Sequence, residues 1–319
     1  MTEIIAPIVD CHCDTLWLFD RKEYHFNRKN RIGHIDLPRL QSGGVAVQFF
    51  AVCTAPIKDR GTPLEAALHY LNLFDEMLAR TGTAVLRVEK MQDLDEAEAN
   101  GKVACLLALE GAEPLCGNLE LLSLFYRLGV RCISLTWNER NCFADGCAEE
   151  ISGGGLTRSG RLLISRMEEL GIVLDLAHIS RAGFYDALVL ATRPPLVSHA
   201  NCFRLCEHPR NLTDAQLKLL AEKGGVIGIT FYPPFISGTN AASLDQLLDH
   251  FVHAASVAGV EHVGIGSDFD GISESVEQLD HAACYPALLA GLRRRGFSFQ
   301  EIKQIAGENV KRLLKQNLK

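Results

Sequence analysis

No stretch of this 319-residue sequence approaches the ~18 consecutive apolar residues of a membrane-spanning helix. The opening MTEIIAPIVD has no basic cluster, no long apolar core and no cleavage signature, so no secretory signal is expected. Basic charge is short too: 32 Lys and Arg against 39 Asp and Glu leave a formal net charge of -7. No Lys/Arg cluster is interleaved with aromatics, which argues against nucleic acid as a partner. The run Arg293-Arg294-Arg295 is brief, lies in a helical region and reads as a solvated face. Low-complexity tails, linkers and clear repeats are missing, so residues 1–319 are expected to form one domain. Cysteine is not scarce. Eleven are scattered along the chain, an odd number that suits reduced thiols in a cytoplasm better than a disulfide framework.

Short apolar, β-branched runs recur throughout. They predict strands at 8–14, 45–52, 103–110, 132–137, 172–178, 195–200, 226–231 and 262–268. Near-continuous apolar runs suit parallel strands covered on both faces. Amphipathic helices are predicted between them, at 63–80 after a proline start, 118–128 after an Asn cap and 213–223 after a Thr cap, with others at 243–258 and 299–317. Eight strands alternating with helices predict a (β/α)8 TIM-type barrel. A doubly wound open sheet is the runner-up, but no G-x-G-x-x-G follows the first strand. The long connection 138–156 carries SGGG and is expected to be a mobile loop over one end of the barrel.

The positions of the polar residues are informative. A charged or imidazole side chain in a buried strand is costly unless paired or ligated. Here such residues gather at strand ends: His12 and Asp14 on the first, Glu110 on the third, His178 on the fifth, His199 on the sixth and Asp268 on the eighth. In a barrel those ends form the active-site face. Three His and three carboxylates, without thiols, suit zinc or a similar divalent ion doing hydrolysis. The count exceeds one open tetrahedral site and suits two ions sharing a carboxylate and a hydroxide. Glu110 is the natural bridge, with His12 and Asp14 on one side and His178 and His199 on the other. Asp268 is then left to move a proton.

The stretch VDCHCDTLW raises a question of register, because Cys11 and Cys13 alternate with His12 and Asp14. Successive side chains of a strand point to opposite faces. If His12 faces the barrel interior, both thiols are expected to face the helix layer as small apolar residues.

The ordered set VDCHCD, LALEGA, VLDLAHIS, LVSHAN, HPRNLTD, FYPPFI and GIGSDFDG resembles the renal (membrane) dipeptidase family, the M19 zinc peptidases, from about residue 8 to 310. The resemblance implies a barrel with two Zn2+ per chain that hydrolyses dipeptides, L-D as well as L-L, through a metal-bridging hydroxide. It implies metal ligands at His12, Asp14, Glu110, His178 and His199, an acid/base at Asp268, a substrate-carboxylate clamp at Arg210 and a substrate-side Tyr232. It also implies a small dipeptide as partner and homodimers as the family's habit. One departure stands out: the family's His after the fourth strand is Trp137 here, in LTWNERN. Trp offers one N–H and no charge. Asn138 and Arg140 are the nearby candidates to take over its role.

Other features read plainly. Cys202, Cys206 and His208 have loose C-x3-C spacing and no partner pair, so a second zinc site is not expected. His208 and His281 read as surface residues, and Tyr232, before Pro233-Pro234, reads equally well as packing. Two alternatives to the dipeptidase remain: another amide or lactone hydrolase on the same metal platform, and a catalytically silent metal- or peptide-binding homologue.

Overall fold

The computed structural model describes residues 6–54 and 61–319. The reading of residues 1–5 as free of a signal lies outside them. Nine parallel strands form one sheet: β1 (Ile8–Asp10), β2 (Val45–Cys53), β3 (Val85–Arg87), β4 (Val103–Glu110), β5 (Val130–Ser134), β6 (Val173–Asp175), β7 (Leu196–Ala200), β8 (Val226–Ile229) and β9 (Val263–Ile265). Eight of them close in the order β2-β1-β9-β8-β7-β6-β5-β4, with β4 pairing back onto β2. This is the (β/α)8 barrel the alternation predicted. The ninth, β3, was not predicted. It pairs with Val103–Cys105 at the start of β4, whose later residues Leu107–Leu109 pair with β5.

Capping boxes start several of the helices, whereas the helix predicted at 118–128 runs Glu120–Arg127 with Leu119, not Asn118, at its N-cap. Thr62 and Glu65 form a capping box before Pro63–Thr81, Thr213 and Gln216 before Asp214–Glu222, and Ser243 and Gln246 before Leu244–Ala258. The predicted helix 299–317 is interrupted by a π-turn at Gln304–Glu308. Its last segment, Asn309–Asn317, places Val310, Leu313 and Leu314 against the inner-facing Val9, Val47, Leu196 and Val226. All four lie at or near strand starts, so this helix plugs the amino-terminal end and leaves the carboxyl ends for chemistry. Among the described residues no helix is long and apolar enough to cross a membrane. Arg295 of the basic run pairs with Asp249 and Asp245 on the surface, as a solvated face should.

The predicted register of the first strand needs correction. Asp10 pairs with Gln48. Cys13 sits opposite Phe50, because its N–H donates to Phe49 O and its carbonyl accepts from Ala51 N–H. Three steps along the first strand thus match two along β2. The extra residue breaks the alternation, as a bulge does. Asp10 and Cys13 face the helix layer, where Tyr285 donates to Asp10 and Cys13 packs with Phe50 and Phe269. Cys11 faces the lumen instead, clustered with Val9, Val47 and Cys132. His12 also opens inward. The same device recurs in β7, where Val197 pairs with Ile227 and Ala200 with Ile229. Ser198 and His199 therefore share the inner side. The facing residue must be Gly228, since a Cβ there would lie 2.1 Å from Ser198 O.

Candidate active site

His12, Asp14, Glu110, His178, His199 and Asp268 converge at the carboxyl mouth of the barrel, and all but the partly exposed Asp268 are buried. Glu110 reaches it by regular alternation along β4. His12 and His199 reach it through the extra residues just described. His178 and Asp268 lie three residues past β6 and β9 with φ of 67° and 64°, left-handed values that cost a non-glycine residue about 1 kcal/mol or more. Surrounding bonds hold them there: Cys147 N–H donates to His178 O at 2.7 Å and Asp268 N–H to His12 O at 3.2 Å.

Glu110 divides the group in two. Its Oε2 lies 3.6 Å from His12 Nε2, which lies 3.3 Å from Asp14 Oδ2. Its Oε1 lies 2.8 Å from His178 Nε2 and 3.6 Å from His199 Nε2. Asp268 Oδ1 is 3.9 Å from His12 Nε2.

The hydrogen bonds behind the imidazoles fix their tautomers. Ser198 Oγ donates to Asp175 Oδ2 at 2.6 Å, so it accepts from His199 Nδ1 at 2.8 Å. Asn138 Oδ1 accepts from His178 Nδ1 at 2.7 Å. Both rings keep their proton on Nδ1 and present a bare Nε2. The two Nε2 atoms are 2.9 Å apart. Two lone pairs that close repel unless a cation lies beside them. His12 Nε2 and Asp14 Oδ1 are likewise buried without a hydrogen-bond partner.

The electrostatics point the same way. Burial pushes the carboxyls of Asp14 and Glu110 up to about 8 and that of Asp268 up to about 7. The charge of Asp270 adds to the rise at Asp14, while His12 opposes it at Glu110 and Asp268. Burial also holds His178 and His199 well below the ordinary histidine value, so both stay neutral. A buried set of carboxyls and neutral imidazoles lacks positive charge of its own, which divalent cations would supply.

A cavity of about 570 Å³ opens onto this cluster, lined by Trp17, Trp137, Arg210, Tyr232 and Phe235. Arg210 is buried, with its guanidinium carbon 5.5 Å above the Phe235 ring and its Nε without a partner. Tyr232 packs edge-on against Phe235 and also lines the cavity, so packing and substrate contact are both open to it. Trp137 stacks on His178 at 5.8 Å between centroids. Of its two candidate stand-ins, Asn138 lines the cavity, whereas Arg140 is tied to Asp145 on the surface.

The expectations for His208, His281 and the 138–156 connection are corrected. His208 is half-buried, lines the cavity and accepts from Arg210 N–H through Nδ1, because the turn before Arg210 folds back over Phe235. His281 is also half-buried, against Cys284. The 138–156 connection is not a plain loop: it carries a 3-10 turn at Cys147–Ser152 and is tied down by an Ala144–Leu156 bridge. Cys202 and Cys206 are buried, Cys206 donating to Pro234 O, and belong to no metal cluster among the described residues. Sequence reasoning missed Asp175, Ser198 and Cys53. The first two are ordinary polar residues until the barrel closes around them. Cys53 ends β2 beside Glu110.

Residues 3–319 match the pattern of the membrane dipeptidase family, peptidase family M19. The chain belongs to that family. Membership makes it a metal-dependent dipeptidase. An uncharacterised dipeptidase of Schizosaccharomyces pombe is 34% identical to it over 98% of this chain and 80% of its own length. The dipeptidase aclJ of Aspergillus oryzae is 31% identical over 97% and 78%. A metallopeptidase of Rhodobacter sphaeroides, solved with a phosphinate mimic of the dipeptide L-Ala-D-Ala, superposes with a TM-score of 0.90 at 26% identity, over 98% of this chain and 99% of that one.

Proposed function

We propose that this M19 dipeptidase is a two-zinc enzyme in which Glu110 is shared between the ions. The carrying observation is that the two Glu110 oxygens approach different imidazoles, Oε2 at 3.6 Å from His12 Nε2 and Oε1 at 2.8 Å from His178 Nε2. His12 and Asp14 would hold one ion, and His178 and His199 the other. Imidazole and carboxylate donors with pre-set tautomers and orphaned lone pairs fit zinc. When bound, the ions would polarise the scissile carbonyl and acidify the attacking water.

The protein's own groups do the rest. Arg210, buried and with Nε unpaired, binds the C-terminal carboxylate of the dipeptide and sets its depth in the cavity. Asp268 takes the proton of the attacking water and returns it to the leaving amine. Burial raises it to about 7, near the value an acid/base group needs at neutral pH. Asn138 spends its oxygen on His178, so its NH2 is what it can offer the substrate carbonyl where the family has His. Trp17, Trp137 and Tyr232 wall the cavity and select the side chains. The mimic in the Rhodobacter structure suggests L-D dipeptides as substrates beside L-L ones. A cytoplasmic location belongs to the same proposal, supported by eleven thiols of which none is bridged. So does a homodimer, which gel filtration tests.

The experiment is to measure bound metal and to assay L-L and L-D dipeptides with and without chelator. Two zinc ions per chain and chelator-sensitive hydrolysis are expected. Bound metal with no dipeptide hydrolysed would favour the silent homologue. Hydrolysis of other amides or lactones alone would favour a changed substrate class.

A further inference from the structure

The centre was expected to be free of thiols, yet the fold carries one into it. Inner-face alternation along β2 runs Val47, Phe49, Ala51, Cys53, so the last side chain arrives at the height of its ladder partner Glu110. Sγ of Cys53, an oxygen of Asp14 and an oxygen of Glu110 lie within 4.8 Å of one another, and all three residues are buried. The thiol donates to Glu110. Trp17 Nε1 pins the backbone by donating to Cys53 O at 3.2 Å.

A buried thiol is ordinarily a small apolar filler. Cys11 and Cys132 fit that description in the lumen cluster, and Cys13, Cys105 and Cys202 in the outer one. Among the described residues, Cys53 is in neither cluster. Its neighbours are two carboxylates, and one of their oxygens, Asp14 Oδ1, is buried without a partner. Donors this close can share an ion that stands ~2.0–2.3 Å from each.

We propose that Cys53 is a thiolate donor to the ion on the His12–Asp14 side. This rests on the two-ion reading above. On ligation the S–H bond to Glu110 is exchanged for a sulfur–metal bond, and the thiol proton leaves to solvent. The soft donor biases that position toward zinc and cadmium and away from manganese and magnesium.

The test loads metal-depleted full-length protein with cobalt(II) and records its near-ultraviolet spectrum beside its cobalt content. The wild type should show a thiolate-to-cobalt charge-transfer band. Cys53→Ser should bind cobalt in the same amount without the band, and its preference for zinc over manganese should fall ~10-fold or more. Cobalt bound by the wild type without the band overturns the proposal, and that reading needs no variant to fold. A band that survives in Cys53→Ser assigns it to another thiol and also overturns it. Failure of the underlying two-ion reading is distinct, since the cobalt content of both proteins would then fall short of two per chain whatever the spectrum shows.

Discussion

Ser198→Ala removes one oxygen and tests how the barrel aims His199, a proposed metal ligand. The hydroxyl donates to Asp175 Oδ2 at 2.6 Å and accepts from His199 Nδ1 at 2.8 Å. Asp175 keeps the N–H groups of Ala177 at 3.0 Å and Ser198 at 2.9 Å, both on Oδ1, while its Oδ2 loses the Ser198 hydroxyl. Two hydrogen bonds are lost, of which the charge-assisted one to Asp175 is worth about 1.5–3 kcal/mol. The larger effect falls on His199, whose ring loses the partner that holds its proton on Nδ1. Outer partners of this kind are worth ~10–100-fold in metal affinity. That is about 1.4–2.8 kcal/mol. The assay is competition with a chromophoric chelator, resolving the two proposed ions. One ion should weaken by this factor. The other should not, because neither His12 nor Asp14 bonds to Ser198. Ser198→Thr, which keeps the hydroxyl, should recover most of the loss. Equal weakening of both ions would mean general loosening and refute the relay, as would no change in either.

Four further outcomes are expected. Arg210→Lys loses the bidentate fork and the ring contact with Phe235, so kcat/KM for free dipeptides should fall ~30-fold or more while amide-blocked dipeptides change little; an equal fall for both would remove Arg210 from the carboxylate. Asp268→Asn should abolish turnover with both metals retained, and loss of metal in elemental analysis would make Asp268 a ligand instead. Asp14 and Glu110 have carboxyls raised to about 8, so the folded chain without metal binds their protons more tightly than the unfolded chain. That stability is present below about pH 4 and is lost as pH rises through about 8. The chelated protein should therefore melt lower at about pH 8 than at about pH 5, and zinc should reverse the trend because its ligands must lose their protons; a chelated form that gains stability over this range would contradict the assignment. Cys11→Ala with Cys13→Ala should keep both metals but lower the melting temperature, since one thiol fills the lumen and the other the helix layer; loss of metal would place a thiol in the centre other than Cys53.

The barrel was legible in the sequence because parallel strands covered on both faces must be apolar along their whole length, and helix caps mark the segments between. The ligand candidates were legible for the opposite reason. His12, Asp14, Glu110, His178, His199 and Asp268 are too costly to bury at strand ends unless something compensates them. Arg210 carried no such signal. An arginine in a loop is ordinarily solvated, and only the family resemblance singled it out before the fold buried it.

What the sequence by itself determined was therefore composition and period: which segments are strands, and which polar residues stand at their ends. Tertiary structure alone decided register and neighbourhood. A period of two predicts the facing of Cys11 only while the ladder is regular, and the extra residue in the first strand is set by hydrogen bonds to β2 and β9, which are remote in sequence. The Asp175–Ser198–His199 relay and the approach of Cys53 to Asp14 join residues 23 to 39 or more positions apart only when the sheet closes. No local pattern encodes such distances, because they arise from curvature summed over the whole barrel.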